Sequence, residues 1–368
     1  MITSPELPTT ASPDELASRI GSSVLGALEV LCIYIGDQLG FYRALHDGGA
    51  ATAPELAARA GTAVRYTREW LEQQTTAGFL ACDNPRDAAL ERRFRLPDGY
   101  EQVLVEPESL LAMAPMAEVF VGVSHPLPHL VQAFRTGAGV PYAAYGEAMQ
   151  VGQARSNRPA FTHLLAQEWI AAMPDIDARL RADPPARIAD IGMGQGWSSI
   201  ALARAFPRVT IDGLDLDAAS VAAARVNARA AGDDIAGRVT FHLRDAGDPA
   251  LANRYDFALA IECIHDMADP VAALDAMRRL VGSGGTVLIV DERVQDAFTP
   301  LGDEVERMMY GFSVLHCLPV GMVDQPSVET GTVMRRDTFR AYAAAAGFTN
   351  VAELPIEHET SRFYRLTA

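Results

Sequence analysis

The sequence predicts an α/β protein in which a mainly helical N-terminal domain precedes a doubly wound sheet of parallel strands. Three observations predict this fold. Strand and helix patterns alternate through the second half of the 368 residues, a glycine-rich turn follows the first of those strands, and the last helix pattern is followed by two strand patterns. Alternation implies parallel strands joined by right-handed helical crossovers, and the final pair implies an antiparallel C-terminal hairpin at the sheet edge.

Composition limits the classes of partner. The chain carries a formal net charge of −16, which argues against nucleic acid phosphates or an anionic membrane surface as its main partner. Hydrophobic residues make up 49% of the sequence, enough to build a core in each of the two domains that this length predicts.

Cysteine usage and the N-terminal sequence predict a cytoplasmic protein. Cys32, Cys82, Cys263 and Cys317 are scattered with no C-x-x-C pair, so we expect free thiols rather than disulfides or a structural zinc site. Residues 1 to about 13 are rich in Pro, Ser and Thr, which predicts a loose segment, and contain no basic stretch followed by an apolar one. Because no uncharged apolar run reaches membrane-spanning length, no membrane partner is expected.

The first helical region predicts a homodimer. Residues 12–45 have the pattern of two helices, of which the second is strongly apolar. A continuous apolar helix surface is a solubility liability if it is left exposed, so residues 22–45 are expected to pack against a second copy of the chain.

The next segments have the order of a winged-helix domain. A short capped helix is predicted over Thr52–Gly61, a longer one over residues 62–80, and a strand over residues 90–97 after a turn. We place this domain at residues 1–105 and interpret residues 106–185, which are mostly helical in pattern, as a connector to a second domain at residues 186–368.

A winged helix can bind DNA, but this one offers little for that purpose. The expected recognition helix supplies only Arg65, Tyr66 and Arg68, and the acidic residues Glu69 and Glu72 follow closely. We therefore interpret the domain as structural and do not expect nucleic acid as a partner.

The glycine-rich turn predicts a nucleotide-like ligand. It reads Asp190-Ile-Gly192-Met-Gly194-Gln-Gly196-Trp197, and such glycines let a ligand approach the backbone closely. A dinucleotide fingerprint needs a third glycine where Trp197 stands, and no Gly-Lys-Ser/Thr of a P-loop follows.

Acidic residues end the neighbouring strands. Asp215 closes the next strand about 20 residues beyond the turn, the usual distance for a residue that binds a ribose diol. With Asp190 and the G-x-G-x-G spacing, this arrangement resembles motif I of the class I S-adenosylmethionine-dependent methyltransferases. Asp245, after the third strand, matches the acid that this family places near the adenine amino group.

The resemblance implies S-adenosylmethionine as the cofactor. An acidic loop suits the cationic sulfonium and ammonium groups of this cofactor. The residues expected to contact it are Asp190, Gly192, Gly194, Gly196, Asp215, Leu216, Asp245, Ala246 and Glu262. Glu262, which follows the fourth strand, is expected to contact the methionine end or else to cap the turn.

Nearly the whole chain resembles small-molecule methyltransferases that carry an N-terminal winged-helix dimerisation domain. The O-methyltransferases of caffeate type in this group have a His-Asp pair after the fourth strand, which corresponds to His265-Asp266 here. The resemblance implies that His265 is the general base that deprotonates a hydroxyl group of a small-molecule acceptor, and that Glu292 orients it. Met267 stands where this group usually has tryptophan, so the acceptor atom stays open.

Three side chains and one metal hypothesis complete the expected site. Tyr310, His316 and Cys317 lie in an apolar segment of the kind that commonly covers the substrate pocket, with ordinary core packing as the alternative. A metal hypothesis involves His265, Asp266, Asp291 and Glu292, which are all expected at strand ends on the same edge of the sheet, where carboxylate oxygens have the chemistry to hold Mg²⁺. The metal-dependent methyltransferases resemble this chain less because they lack the winged helix, so no metal is expected.

Two other functions stay open on the sequence alone. The winged helix is consistent with a regulator that binds DNA in response to S-adenosylmethionine. A third hypothesis is an enzyme that binds the same cofactor and uses its positive charge for a reaction other than methyl transfer.

Overall fold

The structure, a computed structural model, describes residues 12–367 and divides into two compact units that meet at Ala117 and Glu118. A loose segment is predicted for residues 1 to about 13, and residues 1–11 of it lie outside the described range. Ser12 already belongs to a helix cap, because its hydroxyl and the carboxylate of Glu15 form reciprocal hydrogen bonds with the backbone of the first turn.

The first unit begins with a long, exposed apolar helix. Helix α1 (Pro13–Gln38) ends before Gly40, whose φ of 65° is incompatible with a continuing α-helix, and helix α2 (Phe41–Gly48) follows. Two helices are therefore formed as predicted, but the strongly apolar part belongs to the first. By length and composition α1 is apolar enough to cross a membrane, with a mean hydropathy of 1.5 over 18 residues.

The rest of this unit forms the predicted winged helix. Helices α3 (Ala53–Ala60) and α4 (Val64–Thr76) precede strands β1 (Ala81–Cys82) and β2 (Phe94–Arg95), which pair antiparallel. Its core is built from aromatic and aliphatic side chains of these elements, among them Phe41, Tyr42, Leu56, Trp70, Leu71 and Phe94. A short helix, α5 (Glu101–Leu104), closes the domain.

Acidic residues form ion pairs with several basic side chains of this unit. On α4, Arg65 forms an ion pair with Glu69, and Arg92 of the wing lies 2.8 Å from Glu72. These pairs reduce the positive charge that the two arginines would offer to a DNA backbone, which agrees with a structural role for the domain.

A helical layer opens the second unit. Helix α6 (Ala114–Ser124) contains the boundary between the units, and α7 (Leu127–Thr136), α8 (Gly146–His163) and α9 (Pro174–Arg181) follow it. A 3₁₀ turn at Tyr142–Tyr145 leads into α8. This turn and α8 contribute side chains to the site described below.

The sheet of the second unit is the doubly wound sheet that the sequence predicts. Its strands are β3 (Arg187–Ile191), β4 (Thr210–Asp215), β5 (Val239–Leu243), β6 (Phe257–Ile261), β7 (Thr286–Glu292), β8 (Asn350–Glu353) and β9 (Ser361–Thr367). They lie in the order β5-β4-β3-β6-β7-β9-β8. The first five strands are parallel, and β9 runs antiparallel to both β7 and β8, which confirms the C-terminal hairpin.

Helices cover both faces of this sheet. They are α10 (Trp197–Ala205), α11 (Ala218–Ala231), α12 (Asp233–Ala236), α13 (Pro270–Val281), α14 (Glu304–Phe312), α15 (Leu318–Gly321) and α16 (Arg336–Ala345). Alternate residues of the central strands enter two separate cores: in β3, Ile188 belongs to one core and Ala189 to the other. Strand order reverses between β3 and β6, and ligands of such folds bind at the carboxyl ends of the strands there.

Candidate active site

The glycine turn between β3 and α10 is held open on one side. Gly192, Gly194 and Gly196 all have positive φ, at 64°, 53° and 79°. A Cβ at Gly192 would lie 2.8 Å from the sulfur of Cys263, and one at Gly196 would lie 2.7 Å from the ring of Phe241, whereas one at Gly194 would meet nothing within 4 Å. Gly192 and Gly196 therefore allow packing, and Gly194 faces the space that a ligand would use.

Asp215 fixes this turn from the end of β4. One carboxylate oxygen accepts a hydrogen bond from the backbone N–H of Gly194 at 2.9 Å, and the other accepts one from Asp217 at 2.8 Å. Burial raises the pKa of Asp215 above its ordinary value. Leu216, the next residue, is strongly exposed for a leucine, and Gln150 of α8 donates to Asp217 at 3.2 Å.

Asp190 lies beneath the turn rather than in the open space. It is buried, and its carboxylate accepts hydrogen bonds from the hydroxyls of Ser198 and Ser199, both at 2.6 Å. Burial raises the pKa of Asp190 to about 6 in spite of these bonds. The side chain therefore anchors the start of α10, and with it the geometry of the turn.

The other expected cofactor residues lie at the same edge of the sheet. Asp245 and Ala246 follow β5, where the carboxylate of Asp245 accepts from the N–H of Gly247 at 2.7 Å. Glu262 follows β6 with a φ of 53°, a strained conformation for a residue other than glycine that often marks a functional site. Asn157 of α8 donates to its carboxylate at 2.8 Å, and burial raises the pKa of Glu262.

His265 is surrounded by carboxylates. It lies in a 3₁₀ turn after β6 and is only 2% exposed. Its Nδ1 lies 2.8 Å from Oδ1 of Asp291 and 3.0 Å from Oε2 of Glu292, and its Nε2 lies 3.1 Å from Oδ1 of Asp266. We call these four residues the His265 cluster. Its most exposed member is Asp266, at 20% of its side chain.

The charges of the His265 cluster set its protonation. Burial lowers the pKa of His265, but the charges of Glu292, Asp291 and Asp266 outweigh this effect and raise the pKa well above 6.5. Burial alone would raise the pKa values of Asp291 and Asp266. The positive charge of His265 has the larger effect, so both pKa values lie below the ordinary value of an aspartate. Burial raises the pKa of Glu292 well above its ordinary value. The cluster thus combines one imidazole with three acidic groups, and the charge of the imidazole and those of the acids stabilise one another.

A second group of side chains adjoins the cluster from the segment after β7. His316 and Cys317 lie in a π-helical stretch, Ser313–Cys317, between α14 and α15. Nδ1 of His316 lies 3.4 Å from the sulfur of Cys317, and that sulfur lies within 4.8 Å of a carboxylate oxygen of Asp266 and of a ring nitrogen of His265. The structure thus brings two of the three expected pocket residues next to the expected base.

Tyr310 has different neighbours. Its hydroxyl accepts a hydrogen bond from Arg335 at 3.1 Å, and its ring packs edge-on against Phe298 at 6.4 Å. These contacts place it on the exposed side of α14, since 37% of the residue is accessible to solvent.

Two sets of side chains have the composition of a metal site. Ligand atoms of His265, Asp266 and Cys317 lie within 4.8 Å of one another, and so do those of His265, Asp291 and Glu292. The separations of about 3 Å between the ring nitrogens and the carboxylate oxygens are those of hydrogen-bonded ion pairs, so the imidazolium already supplies positive charge to these carboxylates.

Some residues of the site carry no sequence signal for their role. The sequence pointed to Asp291 only as a potential metal ligand, yet it is the hydrogen-bond partner of His265. Asn157 and Tyr142 come from helical segments far from the strand ends, and no motif marks them. The one available signal was the run of two acids, Asp291 and Glu292, at the end of a buried strand.

Matches to known families cover two parts of the chain. Residues 189–287 match the family described as a methyltransferase domain, and residues 27–104 match the Rv2258c-like winged HTH domain. These matches assign a methyltransferase domain to residues 189–287 and a winged HTH domain to residues 27–104, in agreement with the strand order and the glycine turn.

Individual relatives agree with this assignment. The ubiquinone biosynthesis O-methyltransferase of Alkalilimnicola ehrlichii is 33% identical over 104 residues, which are 28% of this chain and 40% of that protein. The chain thus spans about two fifths of the length of this curated relative.

Solved structures share the fold over nearly the whole chain. Human N-acetylserotonin methyltransferase in complex with SAM has a TM-score of 0.69 and 16% identity, covering 98% of this chain and 99% of that one. An O-methyltransferase family protein from Burkholderia thailandensis has a TM-score of 0.65 and 17% identity, covering 98% of each chain.

Proposed function

We propose that the protein transfers a methyl group from S-adenosylmethionine to a hydroxyl group of a small molecule. The observation that carries the proposal is the placement of two groups at the carboxyl ends of adjacent strands. The open glycine turn and Asp215 follow β3 and β4, and the His265 cluster follows β6. Methyl transfer is an in-line displacement, so it requires two reactants held in line and a group that removes one proton.

The residues of the turn suit this cofactor. When bound, S-adenosylmethionine supplies an electrophilic methyl group on a cationic sulfur. Gly194 borders open space beside the backbone, and in this proposal Asp215 binds the ribose diol and Asp245 the adenine. Glu262 adds a half-buried carboxyl group after β6, the strand that also precedes His265, and the methionine end is expected there.

In this proposal His265 removes the proton of the acceptor hydroxyl. Asp291 and Glu292 hold its Nδ1, which leaves Nε2 for proton transfer in the direction of the partly exposed Asp266. The raised pKa means that His265 must first lose a proton to act as a base. A cationic cofactor nearby and a pH above neutrality both favour that neutral form.

The experiment that tests the function is an incubation with methyl-labelled S-adenosylmethionine and a panel of phenols, carboxylic acids and amines. Label transfer to a phenol with stoichiometric S-adenosylhomocysteine supports the proposal, and His265→Ala is expected to lower turnover by roughly 10²- to 10⁴-fold while cofactor affinity is kept. Activity that survives excess EDTA supports a reaction without metal.

Other outcomes contradict the proposal. Transfer to amines alone would change the acceptor atom. Cofactor binding without any S-adenosylhomocysteine would favour the enzyme that uses the cofactor for another reaction. Salt-dependent, specific binding to duplex DNA would favour the regulator.

We further propose that the protein is a cytoplasmic homodimer. Helix α1 exposes a row of large apolar side chains that include Leu16, Ile20, Val24, Leu25, Leu28 and Ile35. In this proposal residues 1–105 form the dimerisation domain and residues 106–185 connect it to the catalytic domain at 186–368. All four cysteines are free thiols, which suits a reducing compartment.

A further inference from the structure

His316 is held in one orientation by aromatic rings. Its ring lies 4.6 Å from the ring of Tyr145 and 5.7 Å from that of Tyr142, both in edge-to-face geometry. The hydroxyl of Tyr145 donates to the backbone carbonyl of Leu315 at 2.8 Å, which fastens the π-helical stretch to the turn before α8. Interruptions of this kind in a helix occur frequently at functional sites.

Hydrogen-bond directions determine which nitrogen of His316 carries the proton. The thiol of Cys317 lies within 4.8 Å of a carboxylate oxygen of Asp266, which can only accept, so the thiol proton is assigned to the side of that carboxylate. The sulfur of Cys317 is then free to accept from Nδ1 of His316, 3.4 Å away. His316 is therefore protonated at Nδ1, and its Nε2 carries a lone pair.

This lone pair has no partner within the protein. His316 is 2% exposed, and its Nε2 forms no hydrogen bond with any of residues 12–367. Buried polar atoms of native proteins are nearly always hydrogen-bonded, and an unpaired one costs about 1–3 kcal/mol. Burial lowers the pKa of His316, so the ring stays neutral at physiological pH and an acceptor atom is kept ready there.

Neighbouring groups place His316 on the acceptor side of the cofactor. Tyr142, which contacts its ring, is half-buried, and burial together with the charges of Asp215 and Asp266 raises the pKa of Tyr142. Tyr142 is thus close enough to Asp215, beside the glycine turn, and to Asp266, in the His265 cluster, for both charges to affect its pKa. His316 is separated from His265 by Cys317 and Asp266, so the two imidazoles are suited to different groups of one ligand.

We propose that His316 determines substrate specificity by accepting, at Nε2, a hydrogen bond from a second donor group of the acceptor molecule. The acceptor therefore carries an O–H or N–H group in addition to the hydroxyl that is methylated. This inference rests on the proposed function, because it assigns the reacting hydroxyl to the His265 cluster. It names a substrate class: aromatic or other small molecules with two donor groups.

The test compares matched phenols on three variants. Catechol and resorcinol each carry a second hydroxyl that phenol lacks. The amide of His316→Gln reaches roughly the position of Nε2, that of His316→Asn roughly the position of Nδ1, and His316→Phe keeps a ring without any acceptor. Each variant is examined for turnover with S-adenosylmethionine and for phenol binding by calorimetry with S-adenosylhomocysteine bound.

The wild type is expected to prefer a dihydroxy compound over phenol. His316→Phe and His316→Asn should remove that preference, with KM for the dihydroxy compound raised by roughly 10- to 100-fold and kcat little changed. His316→Gln should retain most of the preference. Thermal unfolding and cofactor binding equal to those of the wild type establish that each variant folds.

Several results would overturn the inference. One is a wild type that does not distinguish the matched phenols in either assay, including one that binds none of them. Another is a loss of kcat in His316→Phe that follows pH as His265→Ala does, because His316 would then take the reacting proton. A preference in the binding assay without any methyl transfer would refute the proposed function and leave the role of His316 supported.

Discussion

Nδ1 of His265 donates its hydrogen bond to Asp291, at 2.8 Å, while Glu292 lies 3.0 Å from the same nitrogen. Two consecutive residues of β7 contact one ring because the strand ends there and its side chains converge on the turn after β6. The resemblance implied one acidic partner for His265, and the structure adds two more. Three acidic partners make the ring a stronger base and, at neutral pH, a more highly protonated one.

The pH dependence of the reaction follows from this contact. Because the pKa of His265 lies well above 6.5, its neutral form appears only as the pH rises, and kcat/KM should increase with pH. Asp291→Asn removes one negative charge, so the pKa of His265 should fall and the rising limb should move to lower pH by roughly 1–3 units. Rate measurements over a pH series check this.

Asp296→Asn is the matched control for that variant. Asp296 is also an acid after β7, but its side chain is 62% exposed and pairs with Arg336. Its replacement should leave the pH profile in place. If the pH dependence of kcat/KM is the same in Asp291→Asn as in the wild type, a group other than His265 is titrating.

The sequence predicted the sheet and the glycine turn because both leave local patterns. Buried parallel strands read as short apolar runs, and the turn requires glycine at positions such as Gly194, where φ is positive. The partners of His265 and His316 were not predictable in this way. Asp291 acts across the sheet and Tyr142 acts from a helical connector, so only tertiary packing brings them to these histidines.

Gly194 provides the sharpest test of cofactor binding. Gly194→Val places a branched side chain in the open space beside the turn, so affinity for S-adenosylmethionine should fall by about 100-fold or more in calorimetry. Gly61→Val is the control, because Gly61 also has a positive φ, 66°, and open space around it, yet belongs to the first unit. Equal affinities in the two variants would refute the assignment of the turn.

Because the pKa of Asp190 is raised, the free energy of unfolding is expected to depend on pH. Its pKa of about 6 in the folded protein exceeds the ordinary value of 3.8, so the folded state binds this proton more tightly than the unfolded chain. The resulting stabilisation is complete below pH 3.8 and is lost as the pH rises through about 6. At pH 7 the ionised, buried carboxylate therefore costs up to about 3 kcal/mol.

Asp190→Asn should remove this cost while it keeps hydrogen bonds to Ser198 and Ser199. The melting temperature should rise by several degrees at pH 7.5 and change little at pH 4. Asp234→Asn serves as the control, since that side chain is 78% exposed and its replacement should have little effect at either pH. A variant that is destabilised at pH 7.5 would show that the carboxylate is required in its charged form.

The exposed face of α1 predicts that dimerisation is sensitive to single charges. Leu28 is 57% exposed in the single chain, and Leu28→Glu would bury an unpaired charge in the proposed interface. Light scattering at micromolar concentration should show a dimer for the wild type and monomers for this variant. Tyr66→Glu, at an 80% exposed position on α4, should stay dimeric. A wild-type monomer that requires detergent or binds vesicles would instead assign this face to a membrane.

At the same pH, one of the two buried histidines of the site should be cationic and the other neutral. The pKa of His265 is raised above 6.5, so its ring keeps the second proton there, whereas the pKa of His316 is lowered, so its ring has lost it. In ¹⁵N-histidine spectra at pH 6.5, His265 should show two protonated nitrogens and His316 one, at Nδ1. His265→Gln and His316→Gln assign the signals. Cys317→Val removes the sulfur that accepts from Nδ1, so the preference of His316 for this tautomer should weaken while the state of His265 persists. A doubly protonated His316 at this pH would leave no lone pair at Nε2 and would contradict the specificity assigned to it.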